Sequence, residues 1–95
     1  MSKVFYVTGA SSGFGKELVK DLDGRGHNVI ATARNLEKIE DLANLRHVKI
    51  QQLNITDTLA TLKLKAEEAI SFFGKVDVLV NNAAYGQMGE SWNYS

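Results

Sequence analysis

The sequence predicts an α/β fold, a three-layer arrangement with a four-stranded parallel sheet of order 3-2-1-4 between helices. Three observations lead there. Short continuous apolar runs alternate with stretches of helical period along the 95 residues. The connections are short, and each helical stretch is long enough to cross back over a sheet, which specifies parallel strands and right-handed crossovers. The first strand-to-helix junction, Thr8–Gly15, is rich in glycine and serine. The expected strand order is that of the first half of a doubly wound sheet, with the first two helices on one face and the third alone on the other.

Each element has its own signal. Val4–Val7 is an unbroken apolar run before Thr8-Gly9, as a strand buried on both faces requires. From Phe14 the spacing changes to four: Phe14, Leu18 and Leu22, joined by Val19, form one face of a helix that stops near Gly24 and Gly26. Val29–Ala33 is the second strand. Asn35 can cap a short helix with Leu36, Ile39, Leu42 and Ala43 as its inner stripe. His47–Leu53 is a more polar strand, suited to a sheet edge. Thr56 or Thr58 can cap the third helix, and Asp57 suits its positive end. Its apolar face is Leu59, Leu62, Ala66, Ala69, Ile70 and Phe73, and Gly74 ends it. Val76–Val80 is the fourth strand, followed by Asn81-Asn82-Ala83-Ala84. Residues 85–95 read as an irregular polar tail.

Composition narrows the function. Eleven basic and eleven acidic side chains give zero formal charge, against the basic face that a grip on nucleic acid needs. No cysteine is present, so disulfides and thiolate zinc sites are excluded and a reducing, cytoplasmic setting is expected. An apolar fraction of 44% suits a globular chain. No apolar run approaches the roughly 18 residues of a membrane span. The run Val4–Val7 is too short for the apolar core of a signal peptide. No metal site is expected, since His27 and His47 read as surface residues without a third ligand. Glu67 and Glu68 read as a solvated helix face.

The informative segment is Thr8-Gly9-Ala10-Ser11-Ser12-Gly13-Phe14-Gly15. Missing side chains let the backbone turn tightly and approach a ligand closely. The helix that follows offers unpaired N–H groups and a positive dipole end to a phosphate. The functional reading is a dinucleotide pyrophosphate site. The alternative is a small-residue turn that binds nothing. Three glycines at this junction, in this topology, favour the nucleotide.

The spacing Gly-x-x-x-Gly-x-Gly, with Asn81-Asn82-Ala83-Ala84 after the fourth strand, resembles the short-chain dehydrogenase/reductase family. The match runs from Lys3 to about Gly86. The resemblance implies the cofactor-binding, amino-terminal part of a Rossmann-like domain, filling residues 1–95. It implies that Gly9, Ser11, Ser12, Gly13, Phe14 and Gly15 line the pyrophosphate and adenosine ribose. Asn54 stands where the family often has an aspartate that contacts adenine, and an amide can still hydrogen-bond there. Ile55 follows beside the adenine. Asn81 helps hold the central strands, and Ala83 lies along the cofactor ribose. Ala84 replaces the usual glycine, a change of one methyl group.

The residue after the second strand chooses between the nicotinamide cofactors. An acid there accepts from the ribose 2′-hydroxyl and repels a 2′-phosphate. Ala33 takes that place and Arg34 follows with a phosphate-matching fork, which favours NADP(H) over NAD(H). The alternative is that Arg34 is a solvated residue at a helix start. Ser12 lacks the second basic group that many NADP-preferring relatives carry.

Family members use a tyrosine, a lysine four residues on, and a serine. No Tyr-x-x-x-Lys occurs here: Tyr6 is followed four on by Ala10, and Tyr85 by Gly89. No catalytic residue is therefore assigned. In a longer form the implied reaction is hydride transfer between nicotinamide and a carbonyl or alcohol. Taken as a whole product, the chain is truncated before the catalytic half and is not expected to turn over alone. A non-enzymatic role through oligomerisation or partner binding is the alternative. Strand Val76–Val80 would then be an apolar edge, which predicts a homo-oligomer. Trp92 and Tyr94 are either a partner contact or the start of an unfinished element.

Overall fold

The computed structural model describes residues 2–54 and 58–80. In order, the elements are β1 (Val4–Val7), α1 (Gly13–Gly24), β2 (Asn28–Ala33), a 3₁₀ helix (Leu36–Asn44), β3 (Val48–Gln52), α2 (Leu59–Phe73) and β4 (Val78–Val80). The strands form one sheet of order β3-β2-β1-β4, and every pairing is parallel. This is the predicted Rossmann-like topology. Registers Phe5↔Val29, Val29↔Val48 and Phe5↔Val78 place apolar residues side by side across the sheet.

The two faces carry separate cores. On one, Phe5, Val7, Val29, Ala31 and Ala33 of the sheet pack with Leu18, Val19 and Leu22 of α1 and with Ile39 and Leu42 of the 3₁₀ helix. On the other, Val4, Tyr6 and Ile30 pack with Ala69 of α2, flanked by Leu53, Phe72, Phe73 and Val76. Successive strand residues point to opposite faces, so β1 feeds both cores in alternation. Fully burying a side chain such as Ile39 or Leu42 contributes about 1.5–3 kcal/mol.

The helix signals hold at the caps. Asn35 Oδ1 accepts from the Glu37 N–H, Thr58 Oγ1 accepts from the Thr61 N–H, and Gly74 ends α2 in the left-handed region at φ 85°. Thr58 is thus the described cap of α2, while Thr56 and Asp57 lie outside the described residues.

Several boundaries and faces differ from expectation. The second strand begins one residue earlier, at Asn28, because its N–H reaches the Lys3 carbonyl at 2.9 Å. The third is shorter, Val48–Gln52, and the fourth is Val78–Val80. The second helical segment closes i to i+3, as in Lys38 N–H to Asn35 O and Leu45 N–H to Leu42 O. A period of three stacks Leu36, Ile39, Leu42 and Leu45 on one side. Ala43 is therefore exposed and Leu45 replaces it against the core. Phe14 is 50% exposed and does not join the core stripe of α1, whose buried residues are Gly15, Leu18, Val19 and Leu22. The predicted inner face of α2 is only partly used. Ala69 is its buried residue, while Leu59, Ala66 and Ile70 are exposed.

Candidate functional site

Parallel strands bring all four carboxyl ends to one edge of the sheet, where ligands of open α/β sheets bind. Backbone bonds lock the loops at that edge. The Thr8 N–H reaches the Val80 carbonyl at 3.0 Å, and the Ala10 N–H reaches the Thr32 carbonyl at 2.8 Å. The Leu53 N–H reaches the Ala33 carbonyl at 2.9 Å. The buried Thr32 hydroxyl donates to the Val7 carbonyl at 3.1 Å. The loop after β1, Arg34 after β2 and Asn54 after β3 thus leave the sheet on the same edge. Gly9, Ser11, Ser12, Gly13, Phe14 and Gly15 fall within the first loop and the opening turn of α1.

Two glycines of that loop are required by its shape. Gly9 has φ 65°, in the left-handed region. A Cβ on Gly15 would lie 2.5 Å from the Gly9 carbonyl oxygen and 2.9 Å from the Ala10 Cα, so no side chain fits. Ser12 closes the turn with both hydrogen-bonding functions of its hydroxyl. It accepts from the Gly15 N–H at 3.0 Å and donates to the Gly9 carbonyl at 3.1 Å. Gly13 differs, for a Cβ there would meet nothing within 4 Å. The loop is thus folded tightly on its inner side and open on its outer side. The amino end of α1 supplies partial positive charge at its mouth.

The basic residue sits where the sequence places it. Ala33 is buried at the end of β2, and Arg34 is exposed beyond it. Among the described residues the Arg34 guanidinium has no ion-pair partner. Lys16, in the first turn of α1, is engaged instead by Asp41 at 3.2 Å. That lysine holds the Asp41 carboxyl below the usual carboxylate range. Ile55, Asn81 and Ala83 lie outside the described residues, as do Ala84 and the 85–95 tail with Trp92 and Tyr94.

A second feature occupies the α2 face. A groove of about 390 Å³ runs between α2 and the β1–β4 half of the sheet, lined mainly by Tyr6, Leu53, Leu62, Ile70 and Leu79. Tyr6, which lines the groove, joins a polar network that the sequence reading missed. The Tyr6 hydroxyl donates to Gln51 Oε1 at 2.7 Å, and Gln51 Nε2 donates to the Lys65 carbonyl and to Glu68 Oε1, each at 2.8 Å. Burial, then the Glu68 charge, pushes the Tyr6 phenol up to about 12. Glu68 is therefore more than a solvated helix residue. No local pattern marks Gln51 for this role, since it stands between Ile50 and Gln52 on an already polar strand.

The two histidines also have structural partners. His27 Nδ1 accepts from the Lys3 N–H at 3.0 Å, and its ring lies 5.1 Å from that of Phe5. His47 meets Asp23 through both its ring, at 3.1 Å, and its N–H, at 2.8 Å. Among the described residues no cluster of three or more His, Asp or Glu could hold a metal. No described helix is long and apolar enough to cross a membrane.

The family model described as short chain dehydrogenase matches residues 3–95. The chain belongs to the short-chain dehydrogenase family. It is 41% identical over 83 residues to the salutaridine reductase of Papaver somniferum, an alignment covering 81% of this chain and 27% of the reductase. Among solved structures, a short-chain dehydrogenase from Streptomyces avermitilis superposes with a TM-score of 0.78 at 38% identity, covering 86% of this chain and 31% of that one. The 3-ketoacyl-(acyl-carrier-protein) reductase of Brucella melitensis, solved in complex with NADH, gives 0.74 at 33% identity, covering 81% of this chain and 32% of the other. The chain thus spans about a third or less of these relatives, on their glycine-loop side. Short-chain dehydrogenases are oxidoreductases that bind nicotinamide dinucleotides, and the tight loop and open Gly13 are compatible with such a ligand.

Proposed function

We propose that this chain is the NADP(H)-binding half of a short-chain oxidoreductase. The observation that carries the proposal is the Thr8–Gly15 loop. Gly15 admits no side chain, Gly9 has positive φ, and Gly13 opens outward at the amino end of α1. In this reading Ser11, Ser12, Gly13 and Phe14 line the pyrophosphate and adenosine ribose, with Gly9 and Gly15 fixing the loop. Arg34 faces the 2′-phosphate as a bidentate donor. Asn54 offers its amide to the adenine, with Ile55 beside it. Asn81 helps hold the central strands, and Ala83 lies along the cofactor ribose. When bound in the complete enzyme, the reduced nicotinamide would supply a hydride to a carbonyl, and the oxidised nicotinamide would take one from an alcohol. The Brucella relative holds NADH, whereas the buried Ala33 and exposed Arg34 of this chain argue for the phosphorylated cofactor.

The test is a calorimetric titration of NADPH and NADH against the wild-type chain and Arg34→Ala. The expected result is tighter NADPH binding by the wild type and a preference reduced about tenfold in Arg34→Ala, the scale of a charge-assisted hydrogen bond. Equal affinity for the two cofactors, unchanged by Arg34→Ala, overturns the NADP(H) assignment.

A second reading has its own observation. Leu79 of β4 is 49% exposed, and Leu59, Leu64 and Ile70 of α2 are 83%, 66% and 46% exposed. β4 is an edge of the sheet among the described residues. An apolar edge beside an apolar helix face invites a second copy of the chain. Self-association through residues 76–80 is the non-catalytic role this favours. Light scattering should then give more than one chain per particle, and Leu79→Lys should return the mass toward 10.5 kDa. A wild-type chain that stays monomeric at high concentration excludes it.

A further inference from the structure

The segment that presents Arg34 is held by more than the β2 ladder. Gln52, the last residue of β3, lies opposite Ala33 in the parallel register. Its side chain falls on the same face as Val48 and Ile50, the face of α1 and the 3₁₀ helix. From there Gln52 Nε2 donates to the Arg34 backbone carbonyl at 3.2 Å. Two further ties flank the arginine. The Leu53 N–H holds the Ala33 carbonyl at 2.9 Å, and Asn35 Oδ1 accepts from the Glu37 N–H at 3.0 Å. The Leu53 and Asn35 ties belong to any strand-and-cap arrangement. The Gln52 tie is a side-chain choice.

We infer that Gln52 is a positioning residue for cofactor specificity: its amide fixes the Arg34 peptide and so aims the guanidinium at the 2′-phosphate. The inference rests on the NADP(H) reading of Arg34. Its physical logic is preorganisation. A guanidinium on an unheld peptide must be ordered when the phosphate arrives, and that ordering subtracts from the binding energy. A peptide already held by β2, the cap and the Gln52 amide leaves only the arginine side chain to order. Such an effect belongs to the 2′-phosphate alone. NADH, which lacks that group, gains nothing from it.

The test is a double-mutant cycle on the full chain, titrated with NADPH and NADH. Gln52→Met keeps length and loses the donor. It should weaken NADPH binding about threefold, the scale of one exposed neutral hydrogen bond, and leave NADH binding unchanged. In the Arg34→Ala background Gln52→Met should have no further effect on NADPH. Thermal unfolding of Gln52→Met, run alongside, should match wild type, because Gln52 is exposed. An equal loss for both cofactors, or the same loss with and without Arg34, overturns the positioning role and makes Gln52 a general part of the fold or site. An unchanged ratio overturns it too. If Arg34→Ala lowers the preference and Gln52→Met does not, this inference alone falls. If Arg34→Ala has no effect, it falls together with the NADP(H) reading.

Discussion

The two faces of the sheet are built to different degrees of closure. On the α1 side, two helical segments cover β1, β2 and β3, and the buried set runs from Phe5 through Val19 and Leu42 to Val80. On the α2 side, among the described residues, one helix buries Ala69, lines a groove with Ile70 and leaves Leu59 and Leu64 exposed. The glycine loop sits at the edge of this sheet and its helix belongs to the closed face. The proposed dinucleotide site would therefore stand on finished packing. Among the described residues the other face stays open.

The largest expected contrast is in stability. Leu42→Ala, on the closed face, should cost about 2–5 kcal/mol, the range for deleting a buried leucine side chain. Leu64→Ala, on the open face, should stay within about 0.5 kcal/mol in a monomer. Urea denaturation of both variants checks this. A large loss for Leu64→Ala would show that α2's outer side is already packed in solution.

Gly15 and Gly13 sharpen the comparison within one turn. Gly15→Ala forces backbone to move around the Gly9 carbonyl, an overpacking cost of about 1–3 kcal/mol. Gly13→Ala meets open space and gains helix propensity, so its stability should equal or exceed wild type by up to about 1 kcal/mol. Equal midpoints for the two variants would contradict the contact geometry.

The smallest effect tests the floor of the open face. The Tyr6 phenol titrates at about 12 in the fold against an ordinary value of 10.0. A raised folded value means that the neutral phenol is favoured by the fold. Its contribution is complete below pH 10 and is lost as pH rises toward 12. Wild-type stability should therefore fall across that window. Tyr6→Phe should cost about 1 kcal/mol at neutral pH, the worth of one hydrogen bond, and should flatten the alkaline fall. A parallel alkaline decline in both proteins would assign it elsewhere.

Much of this architecture was legible in the sequence, for identifiable reasons. Val4–Val7 and the glycine loop announce themselves because a doubly buried strand must be apolar throughout and a tight phosphate turn must lack side chains. Asn35 and Gly74 act locally, so their capping roles follow from the residue type alone, whereas residue type leaves Thr56 and Thr58 as alternatives at the start of α2. The 3₁₀ period was not legible, since Leu36, Ile39 and Leu42 satisfy either helix and only the i+3 bonds exclude Ala43. The exposure of Ile70 and Ala66 was also hidden, because an apolar stripe records what a helix can bury rather than what lies against it. The Tyr6–Gln51–Glu68 network joins residues 45 and 17 apart in the chain. No local pattern reports such a pairing. Gln52's tie to Arg34 was invisible for the same reason.

The account's central claim is that the outer side of the Thr8–Gly15 loop receives the phosphates of a dinucleotide. Gly13→Asp tests it most directly. The new carboxylate would sit at the amino end of α1, where the helix dipole favours negative charge and a Cβ has room, so the fold should keep its stability. The same charge would face the pyrophosphate. NADPH titration of Gly13→Asp, with its unfolding midpoint measured on the same sample, should show binding abolished and stability retained. A variant that still binds NADPH as wild type does would place the dinucleotide elsewhere on this chain.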